Sequence, residues 1–390
     1  MKNIFKNRFV KLLSFVITAL FLRFYLEHFI EEPNSILIRM ASIIIILGFG
    51  GFFVLKGVAE IIEETTEILS ERTKIASGLL QSLGTAFPDM VLGIVAAIIS
   101  LSLVKEDYAL AINFAIIAAA TTFGSNIYNI AHAVWCVFRQ NLANKKEKNV
   151  LMLPGTKAFG IVIPMKDHQS KPSLKEIDSS VDILNVLTIL TAVVAITMVI
   201  FGKVQNPPEN MQGDLYQLIK PVGGVILALC IIAMYSFRKT KRSHIVGKQA
   251  EKDERYYSKK STWVILMILL ASGISILFTA ESMVKSVQSF CEITGMPFVI
   301  AGVLAGIIGC IGEMIVVHNF TVNPKGRIGD ALVGVAMDNI VTTMGASIVA
   351  VMGGIFLGGN ALILIFVIIL ALNSVLIWQI SKLKNYFLTA

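Results

Sequence analysis

The sequence predicts an all-α, polytopic membrane protein with about ten transmembrane helices and two inverted repeats. Of its 390 residues, 55% are hydrophobic and 15% are charged, and the mean hydropathy is +0.74. Charged residues make up about a quarter of a typical globular chain, well above the fraction in this chain. The composition therefore excludes a disordered chain, a secreted disulfide scaffold and an ordinary cytosolic enzyme. The four cysteines (Cys136, Cys230, Cys291, Cys310) show neither zinc nor redox spacing.

Ten apolar runs approach the roughly 20 residues that cross a bilayer. Arg23 interrupts the first run, and the sequence after it lacks the small-residue pattern of a cleaved signal peptide, so we expect a retained helix. The ten runs are 9–28, 36–57, 75–104, 109–138, 182–202, 217–237, 262–287, 296–319, 329–352 and 357–380.

The basic residues lie between these runs and predict the orientation. With the N-terminus inside, 28 Lys and Arg residues fall on the cytoplasmic side and five fall outside. This bias follows the positive-inside rule, so we expect a multi-pass plasma (inner) membrane protein with both termini in the cytoplasm. The net charge of +8 then reflects topology and does not indicate a nucleic-acid partner. The bilayer is the expected surrounding, and no particular oligomeric state is indicated.

An internal repeat appears when the sequence is displaced by 224 residues, which lays 76–90 over 300–314. The first copy opens with a span that runs inward and the second with a span that runs outward, so the repeats are inverted. Secondary transporters build midplane sites from such repeats. The matched pairs are Gly78 with Gly302, Leu80 with Leu304, and Asp89 with Glu313.

The repeat defines the expected organisation of the chain. An extra N-terminal helix is followed by two halves that a basic linker joins. The predicted units are 1–35 (extra helix), 36–237 (first half, with its repeat at 53–138), 238–261 (cytoplasmic linker) and 262–390 (second half, with its repeat at 277–352). We expect the extra helix to pack on the second half near 329–380; packing beside the first half is the alternative.

Two acids, Asp89 and Glu313, lie within apolar spans next to Gly or Pro residues. A charge at the bilayer centre costs about 3 kcal/mol even on insertion scales. Two carboxylates in one site do not both stay ionised without a cation, and a divalent cation takes several oxygen ligands. We therefore expect both acids to bind a metal cation; the alternative is a pair of protonated carboxyls that serve helix packing.

Neutral oxygens on the neighbouring spans are candidate ligands, with helix packing as the alternative role. The two copies align in two ways there: Ser125 meets Asn339, or a one-residue shift sets it on Asp338, a third intramembrane acid. His132 is a possible proton relay or a packing residue, and His318 is expected in a wetted loop. The candidate neutral ligands are Thr85, Ser125, Asn129, Asn339 and Thr343.

These residues resemble the signatures of the calcium:cation antiporter superfamily. Gly84-Thr85-Ala86-Phe87-Pro88-Asp89 is similar to its Gly-Thr-Ser-x-Pro-Glu signature, and 124–130 to its Gly-Ser-Asn-Ile-x-Asn-like signature. The resemblance covers roughly 36–380 and implies that these polar groups coordinate sodium and calcium. Several residues depart from the pattern: Asp89 replaces Glu, Ala86 and Cys310 replace Ser, Gly309 replaces Thr, Ile308 replaces Gly, and Gly312 replaces Pro.

The expected function is therefore a secondary antiporter, not an enzyme, that exchanges a divalent cation, calcium first, for Na⁺ or H⁺. No resident cofactor is expected beyond the transported cations. The missing sodium-type ligands leave a Na⁺/H⁺ or other monovalent cation/proton exchanger as one alternative. A divergent membrane sensor or assembly protein that transports nothing is the other.

Overall fold

The structure is a computed structural model, and it describes residues 8–31, 34–73, 77–168, 171–172, 174–205, 207, 214–237, 256–323 and 328–389. These residues form eleven α-helices and four short strands. The helices are α1 (Arg8–Phe21), α2 (Ile36–Gly48), α3 (Lys56–Thr73), α4 (Ser77–Leu103), α5 (Tyr108–Lys146), α6 (Leu174–Phe201), α7 (Lys220–Phe237), α8 (Thr262–Thr294), α9 (Phe298–Val322), α10 (Ile328–Met352) and α11 (Gly359–Thr389).

Two helices continue in altered geometry. After α1, the chain forms a π-helical segment (Leu22–Leu26) and a 3₁₀ turn (Glu27–Ile30). A π-helical segment (Phe49–Leu55) also joins α2 to α3. Both segments keep the backbone hydrogen-bonded within the chain, as a lipid environment requires.

Local capping explains several helix ends. The Asp107 side chain accepts a hydrogen bond from the Leu110 amide at 2.9 Å and starts α5. Ser35 and Ser261 cap α2 and α8 in the same way. Gly295 ends α8 at φ 71°, a left-handed conformation that glycine adopts without a Cβ penalty.

The distribution of apolar side chains is that of a membrane protein. In α5 and α10, 83% and 78% of the most apolar stretch is buried, so these helices form the centre. The outer helices instead expose large apolar side chains, which a soluble protein would keep from water and which lipid accommodates. Examples are Leu37, Ile44, Ile196, Ile232, Trp263 and Leu364.

Each predicted span overlaps a helix in the structure, but the number that cross a membrane is not settled at ten. Among the described residues, eight helices are long and apolar enough to cross a bilayer, and nine if the bent α9 is one span. The predicted span 217–237 corresponds to a shorter apolar helix, Lys220–Tyr235. The count of ten stays a prediction, as do the domain boundaries. Most of the linker, 238–255, lies outside the described residues.

The helix contacts have the symmetry that an inverted repeat requires. α5 packs along α9, and α4 packs along α10, which is the same contact once the two copies are exchanged. The helix that follows each copy obeys the same rule, because α11 packs on α5 and α6 packs on α10. The four repeat helices therefore enclose the centre of the protein.

Two short antiparallel pairs lie at the ends of the bundle. β1 (Val150–Leu153) and β2 (Thr156–Val162) form a hairpin after α5, and Gly155 makes its turn at φ 87°. β3 (Leu215–Gln217) pairs with β4 (Phe356–Gly358), and so joins the segment before α7 to the segment before α11.

The extra helix α1 lies against α8 and the α2–α3 segment. Arg23 donates to both carboxylate oxygens of Glu281, at 2.9 and 2.6 Å. Buried Glu27 accepts from Ser282 at 3.0 Å and from Lys285 at 2.7 Å. The expected position near 329–380 is therefore wrong: α1 does pack on the second half, but on its first helix, because the charged residues in the segments just after α1 find their partners there.

The other end of α1 contacts α3. Arg8 forms an ion pair with the buried carboxylate of Glu64, which also accepts a hydrogen bond from the Tyr257 amide at 3.0 Å. Lys11 pairs with Glu60 at 3.0 Å. Two glutamates of α3 thus bind the extra helix.

Candidate cation site

The site lies where α5 crosses α9, and glycines bring these two helices together. A Cβ atom on Gly302 would lie 2.7 Å from the Cβ of Ala120, and one on Gly124 would lie 2.7 Å from the Cα of Val303. A Cβ on Gly306 would overlap the backbone of α5. Small residues of this kind let membrane helices approach at backbone distance.

Asp89 projects from α4 toward this crossing. It follows Pro88, which has no amide hydrogen and so leaves one carbonyl of α4 without its helical partner. Its side chain is 1% exposed, and neither carboxylate oxygen has a hydrogen-bond partner in the described part of the chain. The carboxylate lies against Gly309 of α9, with Ser125 of α5 beside it.

Glu313 follows the bend in α9. The segments 298–311 and 313–322 meet at an angle of 52°, and the Glu313 side chain is buried. Asn129 of α5 donates its amide hydrogen to one carboxylate oxygen of Glu313. The other oxygen, Oε1, is buried without a partner among the described residues.

The structure brings Asp89 and Glu313 together. Their carboxyl groups interact electrostatically, and Gly309, which touches Asp89, precedes Glu313 by about one turn of α9. One acid comes from each repeat, so the two copies meet at this point. The ligand roles of both acids remain proposals.

The helices that carry the two acids, and the repeat helices packed on them, hold several buried oxygens without donors. A buried oxygen that lacks a donor is costly, and a cation satisfies several of them at once. Asn126 was not among the predicted ligands, although it belongs to the same Gly-Ser-Asn motif. Among the described residues, the unpartnered oxygens of the repeat helices α4, α5, α9 and α10 are Asp89 Oδ1 and Oδ2, Glu313 Oε1, Asn126 Oδ1, Asn129 Oδ1, Gln140 Oε1 and Asn339 Oδ1.

The remaining predicted ligands differ in their surroundings. The Ser125 hydroxyl donates to the Thr122 carbonyl at 3.0 Å, and the Thr343 hydroxyl donates to the Asn339 carbonyl at 2.7 Å. Their oxygens can still accept or coordinate. The side chain of Thr85 lies outside the described residues.

Asp338 is buried on α10. Across the described ranges, no three acidic, imidazole or thiol side chains form a cluster suited to a metal ion. The arrangement therefore offers two carboxylates with neutral oxygens, and a ligand role for Asp338 stays a prediction.

Contacts between the copies favour the shifted alignment of the second motif. Gly345 of α10 packs against Met90, since a Cβ there would lie 2.6 Å from the Met90 Cγ. In the other copy, the His132 ring contacts the backbone of Met314, the counterpart of Met90. With Met90 aligned on Met314, the two contacts are equivalent only if His132 aligns with Gly345. This is the alignment that sets Ser125 on Asp338.

His132 lies one turn beyond Asn129 on α5. Its ring stacks on His318 with centroids 6.0 Å apart, and its Nε2 is 3.5 Å from the Cys136 sulfur. The expectation that His318 lies in a loop is wrong, because α9 continues to Val322 and carries His318 onto α5. A relay role for His132 remains a proposal.

Comparison with known proteins rests on the fold. No family model matches the sequence, and no curated protein matches it significantly. The H⁺/Ca²⁺ exchanger CAX superimposes with a TM-score of 0.56 at 13% identity, over 96% of each chain. The chain has the fold of this exchanger. Native YfkE matches with a TM-score of 0.53 at 13% identity, over 98% of this chain and 97% of its own.

The sodium-calcium exchanger NCX_Mj is a weaker match, with a TM-score of 0.47 at 14% identity over 89% of this chain. The predicted fold class, an all-α polytopic membrane protein, is confirmed. The fold that the resemblance to the calcium:cation antiporter superfamily implies is likewise confirmed. At 13% identity the match shows the fold alone, so binding of an ion by this chain must be argued from its own side chains.

Proposed function

We propose that this chain is a secondary active antiporter that exchanges Ca²⁺ for protons or Na⁺ by alternating access. The observation that carries the proposal is the pair Asp89 and Glu313, one from each repeat, both buried and both with carboxylate oxygens that lack a donor among the described residues. In hydrocarbon such a cluster is strongly unfavourable unless a cation or protons neutralise it.

A divalent cation suits the charge and the donors of this site. Two carboxylates balance one divalent ion, and the amide oxygens of Asn126, Asn129 and Asn339 are hard neutral ligands of the kind that calcium takes. Magnesium demands near-ideal octahedral geometry and holds its water firmly. Calcium, with its flexible coordination, is therefore the proposed substrate.

Protons are the favoured coupling ion within this proposal. The family-like sodium ligands are absent at three positions, where Ala86, Gly309 and Cys310 stand in place of hydroxyl residues. The carboxylates that release a divalent cation in the membrane interior must be neutralised in another way, and protonation does this directly. His132 and His318 lie on the predicted cytoplasmic side of Glu313 and could carry these protons.

The inverted packing supports alternating access. The site lies between helices of the two copies, and the bend in α9 is next to one of its acids. Rocking of one repeat bundle against the other would open this crossing to either side. The predicted location is the plasma (inner) membrane with both termini in the cytoplasm, and the two halves 36–237 and 262–390 would be the moving units.

Proteoliposomes that contain the purified full chain test this function. ⁴⁵Ca²⁺ uptake is measured with an outward proton gradient and, separately, with an outward Na⁺ gradient, and empty liposomes are the control. We expect the proton gradient to drive calcium uptake, and we expect an ionophore that dissipates this gradient to abolish the uptake. Sodium flux coupled to protons without calcium flux would indicate the monovalent exchanger, and no flux under any gradient would indicate a protein that transports nothing.

A further inference from the structure

An apolar groove lies between α1 and α8, at the end of these helices that the distribution of basic residues predicts to be cytoplasmic. Its volume is about 340 Å³, and small-molecule sites start at roughly 300 Å³. Trp263 and Met267 line the groove and are 76% and 59% exposed, so it opens outward from the bundle. The other lining residues are Phe9, Leu12, Val264 and Ile268.

The lining of the groove matches a lipid acyl chain. All six side chains are apolar, and they follow α8 from its first turn toward the membrane interior. Met267 lies five residues beyond Thr262, where α8 begins, which corresponds to about 7.5 Å along the helix axis. Trp263 is next to Thr262, and tryptophan is enriched at the boundary between the hydrocarbon and the head groups.

Lys260 places a positive charge at the mouth of the groove. Its ammonium nitrogen lies 5.2 Å from the centroid of the Phe9 ring, which is part of the lining. The turn that carries Lys260 is fixed on α3, because Arg72 donates to the Ser258 and Lys260 carbonyls at 2.9 and 2.7 Å. The turn is fixed on α1 as well, since the Tyr257 ring packs edge-on against Phe9 with centroids 5.8 Å apart.

The charge of Lys260 has no acid partner in the described part of the chain. Two other cations at this end of α1 do have one: Arg8 pairs with Glu64, and Lys11 pairs with Glu60 at 3.0 Å. An unpaired cation beside an apolar groove complements a molecule that has an anionic head and an apolar tail. Anionic phospholipids of the cytoplasmic leaflet are such molecules, and basic residues at the membrane surface attract them.

We propose that this groove binds one anionic phospholipid of the cytoplasmic leaflet, with the phosphate at the Lys260 ammonium group and an acyl chain between α1 and α8. The bound lipid contacts both helices and so adds to the ion pairs that hold α1 on the bundle. A zwitterionic phospholipid would leave the charge of Lys260 without a net counter-charge. The groove shares no residue with the cation site, so this proposal does not depend on the proposed function.

Quenching of Trp263 fluorescence by brominated lipids tests the site. The full chain with Trp135→Phe and Trp378→Phe keeps Trp263 as its only tryptophan. This parent chain is reconstituted in liposomes of phosphatidylcholine and phosphatidylglycerol, and equal amounts of one lipid or the other carry bromine on their acyl chains. We expect the binding constant at Trp263 to be about fivefold higher for phosphatidylglycerol, which is the contribution of one basic residue near a membrane surface.

Charge variants of the parent chain test the role of Lys260. Lys260→Gln should abolish the preference for phosphatidylglycerol, whereas Lys260→Arg should keep it because the positive charge remains. Lys157→Gln is the matched control and should also keep the preference. Lys157 is an exposed lysine of the β1–β2 hairpin and also lies on the predicted cytoplasmic side.

Two results of these measurements would overturn the proposal. Equal quenching of the parent chain by the two brominated lipids would mean that any acyl chain fills the groove. A preference that persists in Lys260→Gln would mean that this charge does not hold the head group.

A third comparison distinguishes a lipid from a free anion. Sodium phosphate is added to the liposomes, with sodium chloride of equal ionic strength as the control, and we expect the same preference for phosphatidylglycerol in both. A preference that phosphate alone removes would indicate a site for a soluble anion and would overturn the assignment to a lipid.

Discussion

The carboxylate of Asp89 lies directly against the α-carbon of Gly309, so an acid of the first repeat rests on the backbone of the second. The side chain fits there only because residue 309 has none. In the family signature a threonine stands at this position, and a Cβ atom here would overlap Asp89 Oδ1. The glycine therefore fixes where this carboxylate can lie.

Gly309→Ala should displace the Asp89 carboxylate and lower calcium uptake at least about tenfold, since a misplaced ligand loses much of its binding energy. The fold should survive, because the overlap is with the end of a side chain and alanine favours helix by about 1 kcal/mol over glycine. Uptake and thermal stability are the measurements. Gly273→Ala on α8, where a Cβ meets nothing within 4 Å, is the matched control.

Asp89→Asn and Glu313→Gln should each abolish calcium uptake without unfolding the protein. Removing an intramembrane charge eases insertion, but it also removes a negative charge that the proposed mechanism needs to bind the cation. Uptake and the thermal midpoint are measured for both variants and for Glu147→Gln, an exposed acid paired with Lys166 beyond the bundle. Unchanged uptake in both site variants would contradict the antiporter mechanism.

Much of this site could be predicted from the sequence, because the free-energy cost of placing an acid in an apolar span is evident from that span alone. An acid in an apolar span is conspicuous whatever surrounds it, so Asp89 and Glu313 stood out. The bond between Asn129 and Glu313 could not be predicted in the same way. It depends on where α5 crosses α9, and the glycines that set this crossing predict close approach but not the partner.

The fold, too, could be predicted from the sequence only in part. Span positions follow hydropathy, whereas the neighbour of each span depends on contacts between distant residues. Arg23 and Glu27 lie in the first run, and Glu281 and Lys285 lie in the seventh, so complementary charges were present in the sequence. The direction of the first span does not determine its neighbours, whereas these complementary charges predict contact with α8.

Asn129→Ala should weaken calcium binding while leaving the protein folded. A hydrogen bond to a charged group contributes about 1.5–3 kcal/mol, which corresponds to an increase of at least about tenfold in the calcium concentration for half-maximal uptake. Asn141→Ala is the control, because Asn141 lies further along α5 and binds Gln379. If both variants need the same calcium concentration for half-maximal uptake, the side chain of Asn129 does not contribute to calcium binding.

Glu27→Gln should destabilise the protein by about 3 kcal/mol, since it removes the buried carboxylate that two partly buried cations, Arg23 and Lys285, share. Glu27 accepts from Arg23 at 2.6 Å and from Lys285 at 2.7 Å. The thermal midpoint in detergent is compared with that of Glu31→Gln, an exposed acid just after the same helix. A midpoint that does not move would mean that this ion-pair cluster contributes nothing to stability.

A chemical crosslink tests the position of α1 itself. The rings of Phe24 and Phe278 lie with centroids 5.6 Å apart, so cysteines at these positions should react with a short bifunctional thiol reagent. The parent chain has its four native cysteines replaced, which leaves the introduced pair as the only thiols. The control pair joins position 24 to 364, an exposed site on α11 within the region first expected to contact α1. We expect a crosslink for 24 with 278 and none for 24 with 364, because the ion pairs of Arg23 and Glu27 hold α1 on α8. The reverse pattern would place α1 beside 357–380 and would leave those ion pairs unexplained.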